Sequence, residues 1–321
     1  MFIYMVLSGC NINPMASAAS TTIPPPTVAF TLEPTQTRRP LPSQTVTPTH
    51  TPTPESIQLI GAGDIAYCGP ADLGDEATAD ILERFPSAVV FTAGDNVSGE
   101  GRLVEYKNCF GPTWGRFLEH LHPSPGNHDF MANTGAAYYE YFGGAAGQPG
   151  QGYYSYDLGD WHIVSLNSNC DAIACGPNSA QAAWLRKDLA ANEKQCKLLY
   201  WHHPRYSSGI SGNYGPVSFF WRIALEHGAD VVISGHDHGY ERFAPQDGDG
   251  NADPDGIRQF VVGTGGSELR DFGQIKPNSE IRDNSTYGLI LFKLYPGKYE
   301  WEFIPVEGGS FSDRGAGQCS G

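Results

Sequence analysis

The sequence predicts an α/β domain with mixed sheets, and three observations lead to that class. Short apolar runs, typical of buried strands, recur from residue 57 onward. Segments with the apolar spacing of amphipathic helices lie between these runs. Of the 321 residues, 40% are apolar and 17% are charged, which is a globular composition. Strands that alternate with helices favour sheets with helices packed on them.

The predicted elements follow one another along residues 57–304. The predicted strands are Ile57–Ile60, Ala88–Phe91, His162–Leu166, Lys197–Trp201, Val231–Ile233 and Gln259–Val262. The predicted helices are Asp75–Phe85, Asn178–Ala191 and Pro216–His227. Asn178 and Pro216 are typical start signals for the last two helices. A closing hairpin is predicted from Tyr287–Leu294 and Tyr299–Ile304, which turn through Pro296-Gly297.

The chain before this domain has a different composition. Residues 11–56 contain 10 Pro and 11 Thr in 46 positions, with four charges that cancel, so we expect a disordered linker. Residues 57–321 form the predicted domain and carry the whole formal net charge of −15. That charge makes nucleic acid an unlikely partner, because phosphate backbones bind cationic surfaces. No apolar run reaches the roughly 18 residues of a membrane-spanning helix.

The first ten residues resemble the lipobox segment of bacterial lipoprotein precursors. An apolar run leads into Leu7-Ser8-Gly9-Cys10. The resemblance implies a signal at residues 1–10, lipidation of Cys10, export, and contact with the membrane through the lipid anchor only. The run is short for a signal peptide and no Lys or Arg precedes it, which favours a true start upstream. The alternative to lipidation is a free cysteine in a frayed terminus.

Five clusters of potential metal ligands occur in order, at loop positions next to predicted strands. The clusters are Gly63-Asp64, Gly94-Asp95-Asn96, Gly126-Asn127-His128-Asp129, Trp201-His202-His203-Pro204 and Gly235-His236-Asp237-His238. Any one of them alone would usually be a turn or a structural residue. Together they predict a binuclear metal site, because Asp, Asn and His suit divalent metals and α/β sheets place ligand sites beyond strand ends.

These blocks, with Gly239-Tyr240-Glu241-Arg242 after the last, resemble the calcineurin-like metallophosphoesterases, and among them the purple acid phosphatases. The resemblance runs from about Ile57 to about Ile304. It implies a four-layer α/β/β/α sandwich with the metals at the strand ends. It also implies two divalent or mixed-valence ions of Zn, Mn, Fe or Co. The implied ligands are Asp64 and His238 for the first ion, Asn127, His202 and His236 for the second, and Asp95 for both.

The same resemblance implies how the site works. Phosphomonoesters of small molecules would be hydrolysed by attack of a metal-bound hydroxide. His128 would be the general acid that faces the leaving group, and Asp129 would orient it. His203, beside ligand His202, is either a pocket residue or a support for its neighbour.

One position departs from the purple acid phosphatase pattern. Three residues after the bridging carboxylate that branch has a tyrosine that binds Fe(III), and this sequence has Ser98 there. The departure puts the ferric site in doubt but leaves the hydrolytic residues in place. Tyr67, three residues after Asp64, is either a substitute ligand or a residue of the pocket wall.

Two other activities compete with a phosphomonoesterase. A phosphodiesterase for cyclic nucleotides or glycerophosphodiesters would use the same metals. A surface binding module with a vestigial site is the alternative from another class, weakened because all six implied ligands are present.

The segment Asp247–Asp255, here called the acidic loop, resembles calcium loops in its alternation of acidic residues and glycine. It lacks a closing glutamate, since the twelfth residue is Arg258 counted from Asp247 or Val262 counted from Asn251. A solvated loop is therefore favoured over a calcium site.

Six cysteines remain besides Cys10, an even number that suggests disulfides in an exported chain and allows 15 connectivities. Cys68 and Cys109 each follow a metal block, so we expect their loops to be neighbours. Cys170 and Cys175 are close in sequence, which leaves Cys196 with Cys319.

Overall fold

The structure is a computed structural model that describes residues 26–27, 29, 55–69 and 74–320. The chain divides after Thr51, and the unit Pro52–Gly321 holds all helices and strands of these residues. The predicted signal with Cys10 and nearly all of the predicted linker lie outside the described residues. Of the helices in the described ranges, none combines the length and the apolar character that crossing a membrane requires.

Thirteen strands occur in the described part of the chain. They are β1 (Ile57–Ala62), β2 (Val89–Ala93), β3 (Leu121–Ser124), β4 (Tyr154–Leu158), β5 (Trp161–Ser165), β6 (Cys196–Tyr200), β7 (Val231–Ser234), β8 (Tyr240–Phe243), β9 (Arg258–Val262), β10 (Ser279–Asp283), β11 (Gly288–Tyr295), β12 (Lys298–Pro305) and β13 (Arg314–Gln318). The first sheet has the order β13-β12-β11-β1-β2-β3, and the second has the order β10-β8-β9-β7-β6-β5-β4. In the first sheet β1, β2 and β3 are parallel, and in the second β5, β6, β7 and β9 are parallel. Both sheets are mixed, since β11 and β8 join them antiparallel.

Six α-helices accompany the sheets in the described residues. They are α1 (Asp75–Glu83), α2 (Leu103–Glu105), α3 (Asn127–Met131), α4 (Ala136–Phe142), α5 (Ala180–Ala191) and α6 (Ser218–Glu226). The predicted helix Pro216–His227 is divided, because Gly215–Val217 forms a 3₁₀ turn before α6 begins. The predicted start at Asn178 is displaced by one residue, because the Ser179 side chain accepts a hydrogen bond from the Ala182 amide and caps α5.

The two sheets face each other across the main apolar core. Phe91 of β2 lies over Tyr200 of β6 with ring centroids 5.4 Å apart, and Phe260 of β9 meets Phe292 of β11 at 5.3 Å. Helices α5 and α6 pack on the other face of the seven-stranded sheet, in a second core. Helix α1 contacts β11 of the six-stranded sheet. The predicted α/β class with mixed sheets is confirmed, and the layers follow the α/β/β/α order.

Some strands were not predicted, for reasons that the structure explains. Strand β3 contains Pro123, which a central strand would not tolerate, but β3 is the edge of its sheet. Strand β13 is rich in glycine, which disfavours strands. Its Gly315 lies against the ring of Trp301, where an added Cβ would come within 2.3 Å of that ring. Because the Trp301 ring packs on this residue, position 315 requires glycine.

The structure forms the three disulfides that the cysteine positions suggest. They join Cys68 to Cys109, Cys170 to Cys175, and Cys196 to Cys319. The last one ties the start of β6 to the residue after β13. Three disulfides fit an oxidising compartment.

Candidate metal centre

The six implied metal ligands all follow carboxyl ends of strands. Asp64 and Asp95 follow β1 and β2, Asn127 opens α3 just after β3, and His202 follows β6. His236 and His238 follow β7. Because these strands end on the same side of the two sheets, ligands far apart in sequence meet at one place, here called the metal centre. A hydrogen bond of 2.8 Å, which the Gly63 amide donates to the Val262 carbonyl, joins the two sheets there.

Three ligand atoms from other side chains converge on His202. Its Nε2 lies 3.0 Å from Asn127 Oδ1, 3.2 Å from Asp95 Oδ2 and 3.2 Å from His236 Nδ1. Its Nδ1 donates to the Ala93 carbonyl at 2.9 Å, which leaves Nε2 to face the centre. Side chains from three strand ends thus turn polar atoms toward one point.

Asp64 forms the other half of the centre. Its Oδ2 accepts a hydrogen bond from the His236 amide at 2.7 Å, and its Oδ1 lies 3.3 Å from His238 Nε2. Oδ1 is fully buried and has no hydrogen-bond partner among the described residues. His238 is held by its Nδ1, which donates to the Glu268 carbonyl at 2.6 Å.

The charges of the centre are strongly coupled. Burial alone would raise the pKa of Asp64, but the neighbouring imidazoles, His238 first, hold it well below its usual range. Burial would lower the pKa of His202, but the carboxylates of Asp95 and Asp64 raise it to about 9. Two buried carboxylates therefore favour positive charge between them.

Three of the implied ligands have left-handed backbone conformations. The φ angles are +59° at Asp64, +47° at Asp95 and +72° at His236. Such angles are uncommon outside glycine, although Asp, Asn and His adopt them more readily than other residues. Gly235, which precedes His236, has no room for a side chain, because an added Cβ would lie 2.6 Å from Asp64 Oδ2.

Metal ions fit this arrangement. Ligand atoms of Asp64, Asp95 and His202 all lie within 4.8 Å of one another, and Asp64 Oδ1 is a buried anionic oxygen without a hydrogen bond. Such an oxygen is costly unless a cation neutralises it. Carboxylates, imidazoles and one amide oxygen form a donor set suited to Zn, Mn, Fe or Co.

His128 lies beside the centre without joining the converging atoms. Its Nδ1 donates to the Gly99 carbonyl at 2.6 Å, and its Nε2 lies 3.9 Å from Asp95 Oδ2. Its amide donates to Asp95 Oδ1 at 2.8 Å. The ring is partly exposed, so Nε2 can reach a bound molecule.

Asp129 does not orient His128 as the sequence analysis expected, since the Gly99 carbonyl holds that ring. Asp129 Oδ2 instead accepts from the Gly126 amide at 2.8 Å and from the Asn96 side chain at 3.0 Å. Tyr106 donates its hydroxyl to Oδ1 at 2.5 Å. Burial, and then Asp95, raise the pKa of Asp129 to about 6. Its contacts fix the loops that carry the ligands.

His203 is buried beside the centre. Ser168 Oγ accepts from the His203 amide at 3.0 Å and lies 2.8 Å from its Nδ1, and the ring stacks on Tyr214 at 4.5 Å. The supporting residues Ser168, Gly99 and Glu268 could not be predicted from the sequence. A serine carries no distinctive signal, and a carbonyl acts whatever the residue, so no sequence pattern marks them.

Ser98 and Tyr67 occupy different environments. The Ser98 hydroxyl hydrogen bonds to the hydroxyl of Ser267, whose amide donates to the Asp64 carbonyl at 2.8 Å. A pair of hydroxyls thus lies at the position where the purple acid phosphatases, which this sequence resembles, have their tyrosine. Tyr67 is 42% exposed in the loop after β1.

The acidic loop uses its carboxylates locally. Asp247 Oδ1 accepts from the amides of Asp249 and Asn251 at 2.8 and 2.9 Å, and Asp249 pairs with Arg222 at 2.9 Å. None of the described groups of three close metal-ligating side chains includes this loop. The contacts match the solvated loop that the sequence analysis favours.

Comparisons with known proteins agree with this geometry. The family model described as calcineurin-like phosphoesterase matches residues 58–240. Purple acid phosphatase 15 of Arabidopsis thaliana is 31% identical over 174 residues, which are 48% of this chain and 32% of that protein. The chain thus spans about one third of the length of this relative.

Two solved structures share the fold. Purple acid phosphatase PPD1 from yellow lupin seeds superimposes with a TM-score of 0.69 at 18% identity, over 82% of this chain and 54% of that one. GAP50, described as the anchor in the inner membrane complex of Plasmodium, gives a TM-score of 0.57 at 15% identity, over 81% and 88%. The fold therefore occurs in an enzyme and in an anchor protein, and only the residues of the site distinguish between such roles.

Proposed function

The chain belongs to the calcineurin-like phosphoesterase family, and on this premise we propose that it is a metal-dependent phosphatase that hydrolyses phosphomonoesters. The observation that carries the proposal is the metal centre itself. Six ligand side chains from five strand ends are all present, and the buried Asp64 Oδ1 lacks a hydrogen-bond partner among the described residues.

We assign the ligands as the family pattern suggests. Asp64 and His238 would hold one ion, Asn127, His202 and His236 would hold the other, and Asp95 would contact both. The contact of His238 with Asp64 and the convergence of the other atoms around His202 support this division. When bound, the ions would acidify a water molecule and neutralise the charge of the phosphoryl group.

The protein's own part in the reaction falls to His128. Because its Nδ1 donates to a carbonyl, Nε2 is the nitrogen that can hold a transferable proton. That nitrogen faces the centre near Asp95 and would protonate the oxygen of the leaving alcohol. The Asp95 carboxylate accepts from the His128 amide, which fixes the backbone of the acid beside a ligand.

We propose further that the protein is exported and held at a membrane by a lipid on Cys10. The three disulfides support an oxidising compartment. Two acyl chains on one residue suffice for stable anchoring. The native precursor should enter membrane or detergent fractions, and Cys10→Ala should abolish that partition. Equal membrane association of both proteins would contradict the anchor.

The decisive experiment combines metal content with substrate type. The protein is stripped with chelator, reloaded with Zn²⁺, Mn²⁺ or Co²⁺, and assayed on 4-nitrophenyl phosphate and bis(4-nitrophenyl) phosphate. We expect two ions per chain and faster turnover of the monoester. Preference for the diester would make the protein a phosphodiesterase, and two bound metals with no turnover of either ester would favour a binding module.

A further inference from the structure

A cavity of about 200 Å³ borders the metal centre. Its wall includes Asn127, whose Oδ1 lies 3.0 Å from His202 Nε2, and His203, whose ring lies 4.5 Å from that of His236. A phosphoryl group bound at the centre would therefore direct its alcohol toward this space. The chemistry of the cavity should decide which alcohols fit.

Aromatic rings form part of the wall. Phe130 and Tyr214 both line the cavity, and Tyr214 is held by stacking on His203 at an interplanar angle of 25°. His203 is itself fixed through Ser168, with two contacts of 2.8 and 3.0 Å. The faces of such rings attract organic cations.

The only charged lining residue is a carboxylate. Asp171 is exposed at the rim, and neither Lys nor Arg belongs to the lining. Asp171 and Tyr214 line the same cavity, and burial, followed by the Asp171 carboxylate, raises the pKa of Tyr214. A negative charge beside aromatic faces favours a cation and repels a second anion.

The loop that carries Asp171 is cross-linked and hydrogen bonded. The Cys170–Cys175 disulfide closes it, and the Asn169 carbonyl accepts from the amides of Ala172 and Ile173 at 2.9 and 2.8 Å. The backbone at Asp171 is therefore constrained before any ligand arrives, which lowers the ordering entropy that binding costs.

Resting on the proposed phosphomonoesterase function, we propose that this cavity selects phosphate monoesters whose alcohol carries an alkylated ammonium group, phosphocholine being the simplest. The ammonium group would lie among Phe130, Tyr214 and Asp171. In hydrolysis the water oxygen bonds to phosphorus and the water loses one proton to solvent. The bond from phosphorus to the alcohol oxygen breaks, and that oxygen takes a proton from His128, which solvent then restores. Inorganic phosphate and the amino alcohol are the products.

Binding of the product alcohol tests the cavity without any turnover. Choline is compared with its neutral isostere 3,3-dimethylbutan-1-ol by saturation-transfer NMR titration of the metal-loaded full chain. We expect choline to bind about three- to tenfold more tightly. Asp171→Asn should reduce that ratio, whereas Asp255→Asn, which removes the same charge from another exposed loop, should leave it unchanged. Equal binding of both alcohols would overturn the inference.

Kinetics then separates this inference from the proposed function. Phosphocholine and 3,3-dimethylbutyl phosphate differ only in charge, and we expect kcat/KM to favour phosphocholine about three- to tenfold, less so at high salt. If 4-nitrophenyl phosphate is hydrolysed but the neutral ester equals or exceeds phosphocholine, this inference alone fails. If no phosphomonoester is hydrolysed by the metal-loaded protein, the proposed function fails and the inference with it.

Discussion

The carboxylates of the metal centre and those of the acidic loop both suggest a cation site in the sequence, yet they are satisfied in opposite ways. Asp64 receives its hydrogen bond from a residue 172 positions away and keeps one buried oxygen without a hydrogen-bond partner in the described chain. Asp247 receives its hydrogen bonds from residues two and four positions away. A dense local run of acids can satisfy itself, whereas dispersed acids that converge in the interior need a cation.

Removing one carboxylate from each group gives the largest expected difference. Asp95→Asn should lose bound metal and lower kcat/KM by about three orders of magnitude or more, because several kcal/mol of charge stabilisation disappear. Asp247→Asn should keep both ions and stay within about twofold of wild type. Elemental analysis and 4-nitrophenyl phosphate assays measure both. Similar metal loss in the two variants would remove the distinction.

A second variant distinguishes ligand from neighbour within the centre. His128→Ala should lower turnover by about 10²–10⁴, the usual contribution of a general acid, while two ions remain bound. Metal content and kcat on phosphomonoesters report the two effects separately. Should His128→Ala lose metal as completely as Asp95→Asn, His128 would be a ligand rather than an acid.

Metal-dependent stability tests the comparison without catalysis. A cation that binds the folded chain at 100 times its Kd adds about 2.7 kcal/mol per site. Zn²⁺ should therefore raise the Tm of the stripped protein by several degrees in wild type and much less in Asp64→Asn. Ca²⁺ should shift Asp247→Asn and wild type equally. A calcium response that Asp247→Asn abolishes would make the acidic loop a calcium site.

Two further carboxylates, outside both groups, are paired with a histidine. His162 lies between Asp157 and Asp188, with both contacts at 2.8 Å. Burial would lower the pKa of His162, but the two carboxylates outweigh it and raise the pKa. This stabilisation is complete below the unfolded pKa of about 6.5 and is lost as pH rises through the higher folded pKa.

The expected effect is small, about 1 kcal/mol, because Asp157 is half-exposed. In the metal-free wild type, the free energy of unfolding measured with urea should fall as the pH rises from 5 to 9. In His162→Gln this fall in the free energy of unfolding should be smaller. An unchanged pH profile in that variant would assign the fall to other groups.

Strands and side-chain positions could be predicted from the sequence where the type of a residue decides its place. The apolar run Val231–Ile233 predicts a buried strand, and the structure has β7 there. The Asp, Asn and His residues predicted beyond strand ends lie there in the structure. Prediction failed where neighbouring elements decide the conformation or the partner of a residue. Strand β3 depends on its edge position, and Asp129 was assigned to the wrong partner because the Gly99 carbonyl holds His128. Backbone groups of this kind leave no trace in the amino-acid pattern.

The left-handed backbone at Asp64, Asp95 and His236 limits how this centre can change. Residues such as Val or Ile are strained in that conformation, and Asp, Asn and His are among the few side chains that tolerate it. The main chain therefore restricts the donor chemistry before any ion is chosen. Metal preference can therefore be altered at these three positions with only a few residue types. An exchange among those types, such as Asp64→His, should disturb the fold less than Asp64→Val.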